Sequence, residues 1–319
     1  MSLLQICADI AADAPVAAPS AIVTNTTDTN AQLLLACALR AGQSLARYKE
    51  ECWAIQGREF DFTTTAVQTT GTTTGGSTVV TGIPSTAGIE DTLFGVAGNG
   101  IPANTYVAQV NSATQVTLTN PVAAGNGAAG VALTFGQFAY PLPSDFLRII
   151  TDTEWDRGRR WPMIGPRTPQ QWQLYKSGLI GTATFQRRWR IKQLTQLAGE
   201  PTDYFCIDPV PSDNGTPLVF EYVSNAWCRS STGTLQTRWL ADTDVGLLDE
   251  YLIALDARWR FLNRLGLAYS AERDEAEREI AKAWANDGGM PILDMAPKYS
   301  PVLIGPMNVP DTGFGGVVR

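Results

Sequence analysis

Residues 239–287 decide the fold and read WLADTDVGLLDEYLIALDARWRFLNRLGLAYSAERDEAEREIAKAWAND. Their apolar residues recur at steps of three and four, so they lie on one stripe of a helix. The residues of this stripe are Val245, Leu248, Leu252, Leu255, Trp259 and Leu262. The short oxygen-bearing side chains at 242–244 are suited to accept the free N–H groups of a first helical turn. A second, highly charged helix is expected to begin at Ser270. The stretch therefore predicts long helices over 243–286 that act as a scaffold.

The composition argues against most enzyme classes. The 319 residues are 44% hydrophobic and 17% charged, and the formal net charge of −7 disfavours a surface that grips phosphates. Histidine is absent, which removes the commonest general base, the Ser-His and Cys-His pairs, and the usual zinc and haem ligands. The five cysteines are scattered without CxxC spacing and are predicted to be reduced and mostly buried. The longest apolar run, residues 33–39, is too short to span a bilayer, and we expect neither an export signal nor a membrane partner.

A second composition occupies the middle of the chain. The pattern over 31–56 predicts another long helix, yet no Lys or Arg occurs between Arg58 and Arg148. Residues 63–135 are rich in Thr, Gly, Ala and Val, with alternating runs at 77–82, 105–110, 114–119 and 130–135. Short β-branched runs separated by turn residues indicate a small all-β sandwich or barrel, and a disordered linker is the alternative.

The flanking sequences resemble each other in charge and aromatic content. We therefore predict a host domain formed by 1–62 and 136–287, with 63–135 inserted as a β module. The host contains a β region at 137–230, in which 204–211 and 217–227 are predicted to form a hairpin. Five prolines within 288–319 predict an extended C-terminal arm that lies along a partner. The predicted fold class is α+β: a bundle of long helices with a β-rich region, an inserted all-β module and the arm.

No candidate site favours catalysis, cofactor binding or metal binding. Asp242 and Asp244 match a DxD pattern, but Gly246 occupies a calcium-ligand position, so helix capping explains the acids better. The arginines near Trp161 and Trp189 suit either nucleic-acid contacts or structural and subunit-interface pairing. We favour the second interpretation, because in a strand Arg188 and Arg190 would face away from Trp189. The predicted interface residues are Arg159, Arg160, Arg188 and Arg190.

Several stretches together resemble one family. They are LLLACALRAGQSLAR (33–47), YPLPSDFLRII (140–150), GPRTPQQWQLYKSG (165–178), FEYVSNAW (220–227) and DTDVGLLDEYLIALDARWRFL (242–262). In their order and joint presence they resemble the head-to-tail adaptor proteins of tailed bacteriophages, such as the tail tubular protein A of short-tailed phages. The likeness covers about 31–62 and 137–287, and the insert resembles the Ig-like or small-barrel modules of phage structural proteins.

The resemblance implies a structural virion protein that performs no catalysis. Its copies would form a ring, typically a dodecamer, docked between the portal and a tail or nozzle protein at the head-to-tail junction, after assembly in the bacterial cytoplasm. The ring would seal the junction and let double-stranded DNA pass without sequence-specific binding. The family's C-terminal arm points toward the portal, which here implicates Pro291, Ile292, Leu293, Val302, Leu303 and Ile304. Our candidate for the channel-facing helix lies at 271–284, with Glu272, Asp274, Glu275 and Glu279.

Two other functions stay open. A receptor- or glycan-binding tail fibre or spike would carry recognition in the β module and would form trimers. A tail-associated hydrolase would place a pair of carboxylates in a cleft.

Overall fold

The computed structural model describes residues 1–49, 53–177, 186–194 and 202–287. Strands hold 32% and helices 27% of these residues, so the fold is β-rich α+β. The prediction of a bundle of long helices was wrong, since the longest helix in the described ranges has 18 residues. The helices are α1 (Leu3–Asp13), α2 (Thr29–Ala46), α3 (Pro169–Ser177), α4 (Glu250–Arg264) and α5 (Ser270–Asn286), with a 3-10 turn at Ala54–Gln56.

The strands of the described residues are mostly short. They are β1 (Gly57–Thr63), β2 (Ala66–Thr73), β3 (Val79–Val80), β4 (Phe94–Gly98), β5 (Thr105–Ser112), β6 (Gln115–Leu118), β7 (Ala128–Gln137), β8 (Ala139–Pro141), β9 (Phe146–Ile149), β10 (Trp155–Asp156), β11 (Trp161–Pro162), β12 (Arg188–Leu194), β13 (Thr202–Asp208), β14 (Pro217–Ser224), β15 (Cys228–Arg229), β16 (Leu235–Gln236) and β17 (Val245–Gly246).

The described residues divide into two compact units. Unit 1 takes 1–59, 144–150 and 221–287, and unit 2 takes 60–143 and 151–220. The predicted insert, 63–135, lies in unit 2 together with most of the predicted β region. Whether 63–135 folds as a separate module stays a prediction, and the predicted arm at 288–319 lies outside the described residues.

Unit 1 has a helical core to which α1, α2, α4 and α5 contribute. The predicted stripes are mostly buried where they fall inside helices, as at Leu34 and Ala38 on α2 and Leu252 and Leu262 on α4, but Trp259 is only half-buried. Burying such a stripe is the main source of helix stability, because an isolated helix of this length is marginal in water. Gly42 of α2 lies under Trp227, where a Cβ atom would come within 2.1 Å of the indole ring.

Both long-helix predictions extended too far. The helix predicted over 31–56 ends at Ala46, and Lys49 has a φ of 60°, outside the helical region. The helix predicted from residue 243 begins at Glu250, where the Asp249 carboxylate accepts the Tyr251 N–H at 2.9 Å. Asp242 is not a cap, because its carboxylate accepts the N–H groups of residues 22 and 23 at 3.2 and 2.8 Å. An aspartate therefore caps the helix as predicted, but the capping residue is Asp249 and not Asp242.

Unit 2 contains the six-stranded sheet β2-β7-β4-β5-β6-β3, in which each of the four predicted runs contributes a strand. Reciprocal backbone bonds between Thr72 and Thr81, at 2.7 and 3.1 Å, join the two ends of this strand order. The sheet therefore closes on itself like a small barrel, which leaves no open edge between its ends. Its core includes Phe94, Leu133 and Phe135.

The predicted hairpin of 204–211 and 217–227 was wrong. β13 lies between β12 and β8 in a three-stranded sheet, whereas β14 belongs to the sheet of order β1-β14-β10-β11 and also pairs with β9. The turn at 212–215 is present, and the Gly215 N–H donates to the Thr64 carbonyl at 2.8 Å. The turn residues at 212–215 therefore connect strands of two different sheets, β13 and β14, and not two neighbouring strands of one sheet.

Candidate functional site

Helix α5 presents an acidic line along one flank. It packs through Ala276 and Ile280, which are buried in the core of unit 1. At about 100° per residue, Glu272, Glu275 and Glu279 fall within roughly 60° of each other around the helix axis. Asp274 lies about 100–160° from these glutamates. The helix therefore brings together three of the four predicted channel-facing acids and separates the fourth.

Ion pairs leave most of this acidic line uncompensated. The Lys282 ammonium lies 3.3 Å from the Glu279 carboxylate, and Arg273 pairs with Glu277 at 2.8 Å on another part of the helix surface. Both pairs are solvated and contribute little to stability. Within the described ranges, no ion pair involves Glu272 or Glu275. The flank therefore keeps a negative potential.

The opposite flank of α5 faces aromatic side chains of unit 1. The Arg273 guanidinium lies 5.9 Å from the centre of the Trp259 ring. The Trp284 ring lies 5.0 Å from Trp53 and 5.7 Å from Tyr48, measured between ring centres. Arg273 and Trp284 are about 20° apart around the axis, so they mark one line of the helix. Asp274 lies between this line and the glutamates, on the outermost face.

The predicted interface arginines are not equally available for a partner. Arg188 is only 9% exposed, pairs with Asp208 at 3.5 Å and stacks on Tyr175 with its guanidinium carbon 3.7 Å from the ring centre. Arg159 lies 3.9 Å from the carboxylates of Asp156 and Asp213. Arg160 is exposed and Arg190 is half-buried. Structural pairing therefore applies to Arg188 and Arg159, while the subunit-interface role of all four stays a prediction.

The buried centre of that region is Arg187. Its side chain is 0% exposed, and its guanidinium donates to Asp156 at 2.9 Å and to Asp213 at 3.2 Å. Burial alone would raise the pKa of Asp213, but hydrogen bonds from the Thr216 hydroxyl and the charge of Arg187 outweigh it and lower that pKa below 3.8. The network pairs the buried guanidinium with two carboxylates, so removing one partner would leave a buried charge unpaired. Sequence reasoning did not separate this buried arginine from its exposed neighbours.

A pocket in unit 1 was missed by the sequence analysis. It has a volume of about 310 Å³ and is lined by Cys37, Arg40, Trp259, Arg260, Asn263 and Arg264. Burial raises the pKa of the Cys37 thiol, while the nearby positive charges of Arg264, Arg40 and Arg260 oppose that shift. The only sequence signal was the four-residue spacing of Arg260 and Arg264, which puts both on one helix face. Arg40 joins them through the packing of α2 on α4.

The remaining predicted site residues cannot be placed, because Pro291, Ile292, Leu293, Val302, Leu303 and Ile304 lie outside the described residues. Over the described part of the chain, no group of three His, Cys, Asp or Glu side chains is arranged to hold a metal ion. None of the helices described is long and apolar enough to cross a membrane. Comparison with models of known protein families gave no match, and no curated protein sequence matched the chain either.

Proposed function

We propose that this chain is a ring-forming adaptor of a bacteriophage head-to-tail junction, with α5 lining the channel through which the genome passes. The copies of the chain surround the channel, the portal binds the 288–319 arm, and a tail protein binds the other side. The chain contributes shape and charge, and it carries out no reaction.

The acidic flank of α5 is the observation that carries this proposal. Double-stranded DNA carries one negative charge per about 1.7 Å of its axis, so a basic wall would bind it tightly. A wall formed by the outermost face of α5, with Asp274 and with the glutamates along one border, would instead repel the phosphates and keep friction low. The exposed residues around Asp274 are the small Ala271, Ala281 and Ala285, together with Arg278. Acidic side chains outnumber basic ones along α5, and a wall of net negative charge suits passage of DNA without sequence-specific binding.

The sequence likeness to phage adaptors supports the same proposal independently. The stretches at 33–47 and 242–262 contain most of α2 and most of α4. These two helices lie side by side in the core of unit 1 and carry α5. Two of the stretches that resemble adaptors thus belong to the scaffold on which the acidic helix is mounted.

Particles assembled without this chain provide a direct test. If the chain is an adaptor, its loss should give DNA-filled heads that lack tails, because nothing joins the portal to the tail. Restoring the wild-type chain in the same cells is the control. Complete, tailed particles in its absence would contradict the proposal.

A second candidate is a glycan-binding tail component. Unit 2 has a pocket of about 390 Å³ whose lining includes Tyr106, Trp172, Lys176 and Lys192. Aromatic faces beside polar groups suit the binding of small polar ligands. This candidate predicts that particles lacking the chain are complete but fail to attach to cells, an outcome that the same experiment distinguishes.

A further inference from the structure

The arginine pocket, defined by Arg40, Arg260 and Arg264, concentrates positive charge in an acidic protein. Its three arginines line one cavity of about 310 Å³ between α2 and α4. The formal net charge of the whole chain is −7, so carboxylates are abundant elsewhere. Bringing three cations together costs free energy through their mutual repulsion. A negatively charged group in the pocket would offset that cost.

The chain itself supplies little of this compensation. Arg260 is paired with Asp256, whose two carboxylate oxygens accept hydrogen bonds at 2.9 and 3.4 Å. For Arg40 and Arg264, no described residue places a carboxylate within 4.0 Å. Both side chains are exposed. Two guanidinium groups are therefore available to an incoming anion, and a guanidinium group can bind a carboxylate through two parallel hydrogen bonds.

The matching negative surface is on the same unit but on the other flank of α5. Trp259, which lines the arginine pocket, lies beneath Arg273 of α5. Glu272, Glu275 and Glu279 are about 100–160° around the helix axis from Arg273. The arginine pocket and the glutamate line thus flank the outermost face of α5 on opposite sides. One chain cannot bring the two surfaces together, but two copies can.

We infer that the arginine pocket of one copy binds the glutamate line of the next copy, in a head-to-tail contact that repeats around the ring. This inference rests on the proposed function and names the contact that would build the ring. A heterologous contact between two different surfaces closes into a ring when its rotation allows. The outermost face of α5, with Asp274, then points between the two contacts, toward the channel.

Charge-swapped full-length chains test the contact. The basic side is reversed in Arg40→Glu/Arg264→Glu, and the acidic side is reversed in Glu275→Lys/Glu279→Lys. Matched controls change the same charges on the outermost face of α5, as Arg278→Glu and Asp274→Lys. Self-association is measured by sedimentation equilibrium at low and high salt, and circular dichroism checks that each variant is folded.

Each swapped chain alone should self-associate on the order of 100-fold more weakly than wild type, because like charges then face each other. Mixing the two swapped chains should restore association to within about tenfold of wild type, since each side again meets its opposite charge. Both controls should behave as wild type, and wild-type association should weaken at high salt.

Three results would overturn the inference: a swapped chain that associates like wild type, a mixture that associates no better than its components, or a wild-type chain that stays monomeric at low salt. Loss of duplex DNA binding in Arg40→Glu/Arg264→Glu, with self-association intact, would assign the pocket to phosphate and would also overturn it. None of these results decides the adaptor role, which the particles lacking the chain test separately.

Discussion

Replacing Arg187 by leucine should destabilise the protein strongly. The change removes a guanidinium group with 0% exposure and leaves Asp156, whose side chain is 2% exposed, without its nearest counter-charge. Asp156 keeps the backbone N–H of Arg159 at 2.8 Å, so one hydrogen bond survives. Breaking a buried ion pair from one side costs about 3–5 kcal/mol, and we expect the lower half of that range here. Arg157→Leu is the matched control, because the side chains of Arg157 and Asp61 are 46% and 60% exposed and such pairs contribute about 0–1 kcal/mol.

Urea unfolding followed by tryptophan fluorescence measures the difference, since Trp189 stacks on Phe205 in the same unit with ring centres 5.1 Å apart. The double variant Arg187→Leu/Asp156→Leu should recover part of the loss, because no buried charge is left unpaired.

The lowered pKa of Asp213 also contributes stability that is present above pH 3.8 and is lost as the pH falls through the folded-state value. Arg187→Leu should reduce this loss at acid pH. A loss at neutral pH no greater than that of Arg157→Leu would refute the reasoning.

Three further predictions concern other parts of the chain. Gly42→Ala should cost about 1–3 kcal/mol of unfolding free energy by thermal or urea denaturation, because its Cβ would lie 2.1 Å from the Trp227 ring; an unchanged midpoint would contradict this packing. Burial raises the pKa values of Cys206 and Cys228 to about 12, so both thiols should resist a thiol reagent at pH 8 until urea unfolds the chain. The stability that these two thiols contribute should be lost as the pH rises from 9.0 to about 12. Rapid labelling of the folded protein would contradict the burial of these thiols. Deleting 290–319 should leave the unfolding midpoint of the rest unchanged but abolish binding to the portal in a pull-down assay, and retained binding would exclude the arm as the docking element.

Local patterns predicted the positions of elements better than their ends or partners. The alternating runs of residues 63–135 became strands of one sheet, because period-2 alternation directly reports a half-buried strand. The 3.6-residue pattern likewise located α2 and α4. Their ends depended on contacts distant in sequence, such as the Asp242 carboxylate holding residues 22 and 23. A pattern within one segment contains no information about such partners.

The prediction of the fold class was wrong for a related reason. The helices predicted over 31–56 and 243–286 are shorter in the structure, and two-residue strands such as β10, β11 and β15 are too short to show any alternation in the sequence. The candidate site was partly predictable: the glutamates of α5 follow from helix spacing. The arginine pocket could not be predicted, because Arg40 is more than 200 positions from Arg260 in sequence. Only the packing of the helices brings the two residues together.

Electron microscopy of the virus particle that contains this chain tests the adaptor proposal most directly. A reconstruction of the vertex should show the chain as a closed ring between the capsid and the tail, with α5 of every copy facing the channel. Copies found as a trimeric spike at the distal end of the tail, or as monomers away from that vertex, would contradict the proposal.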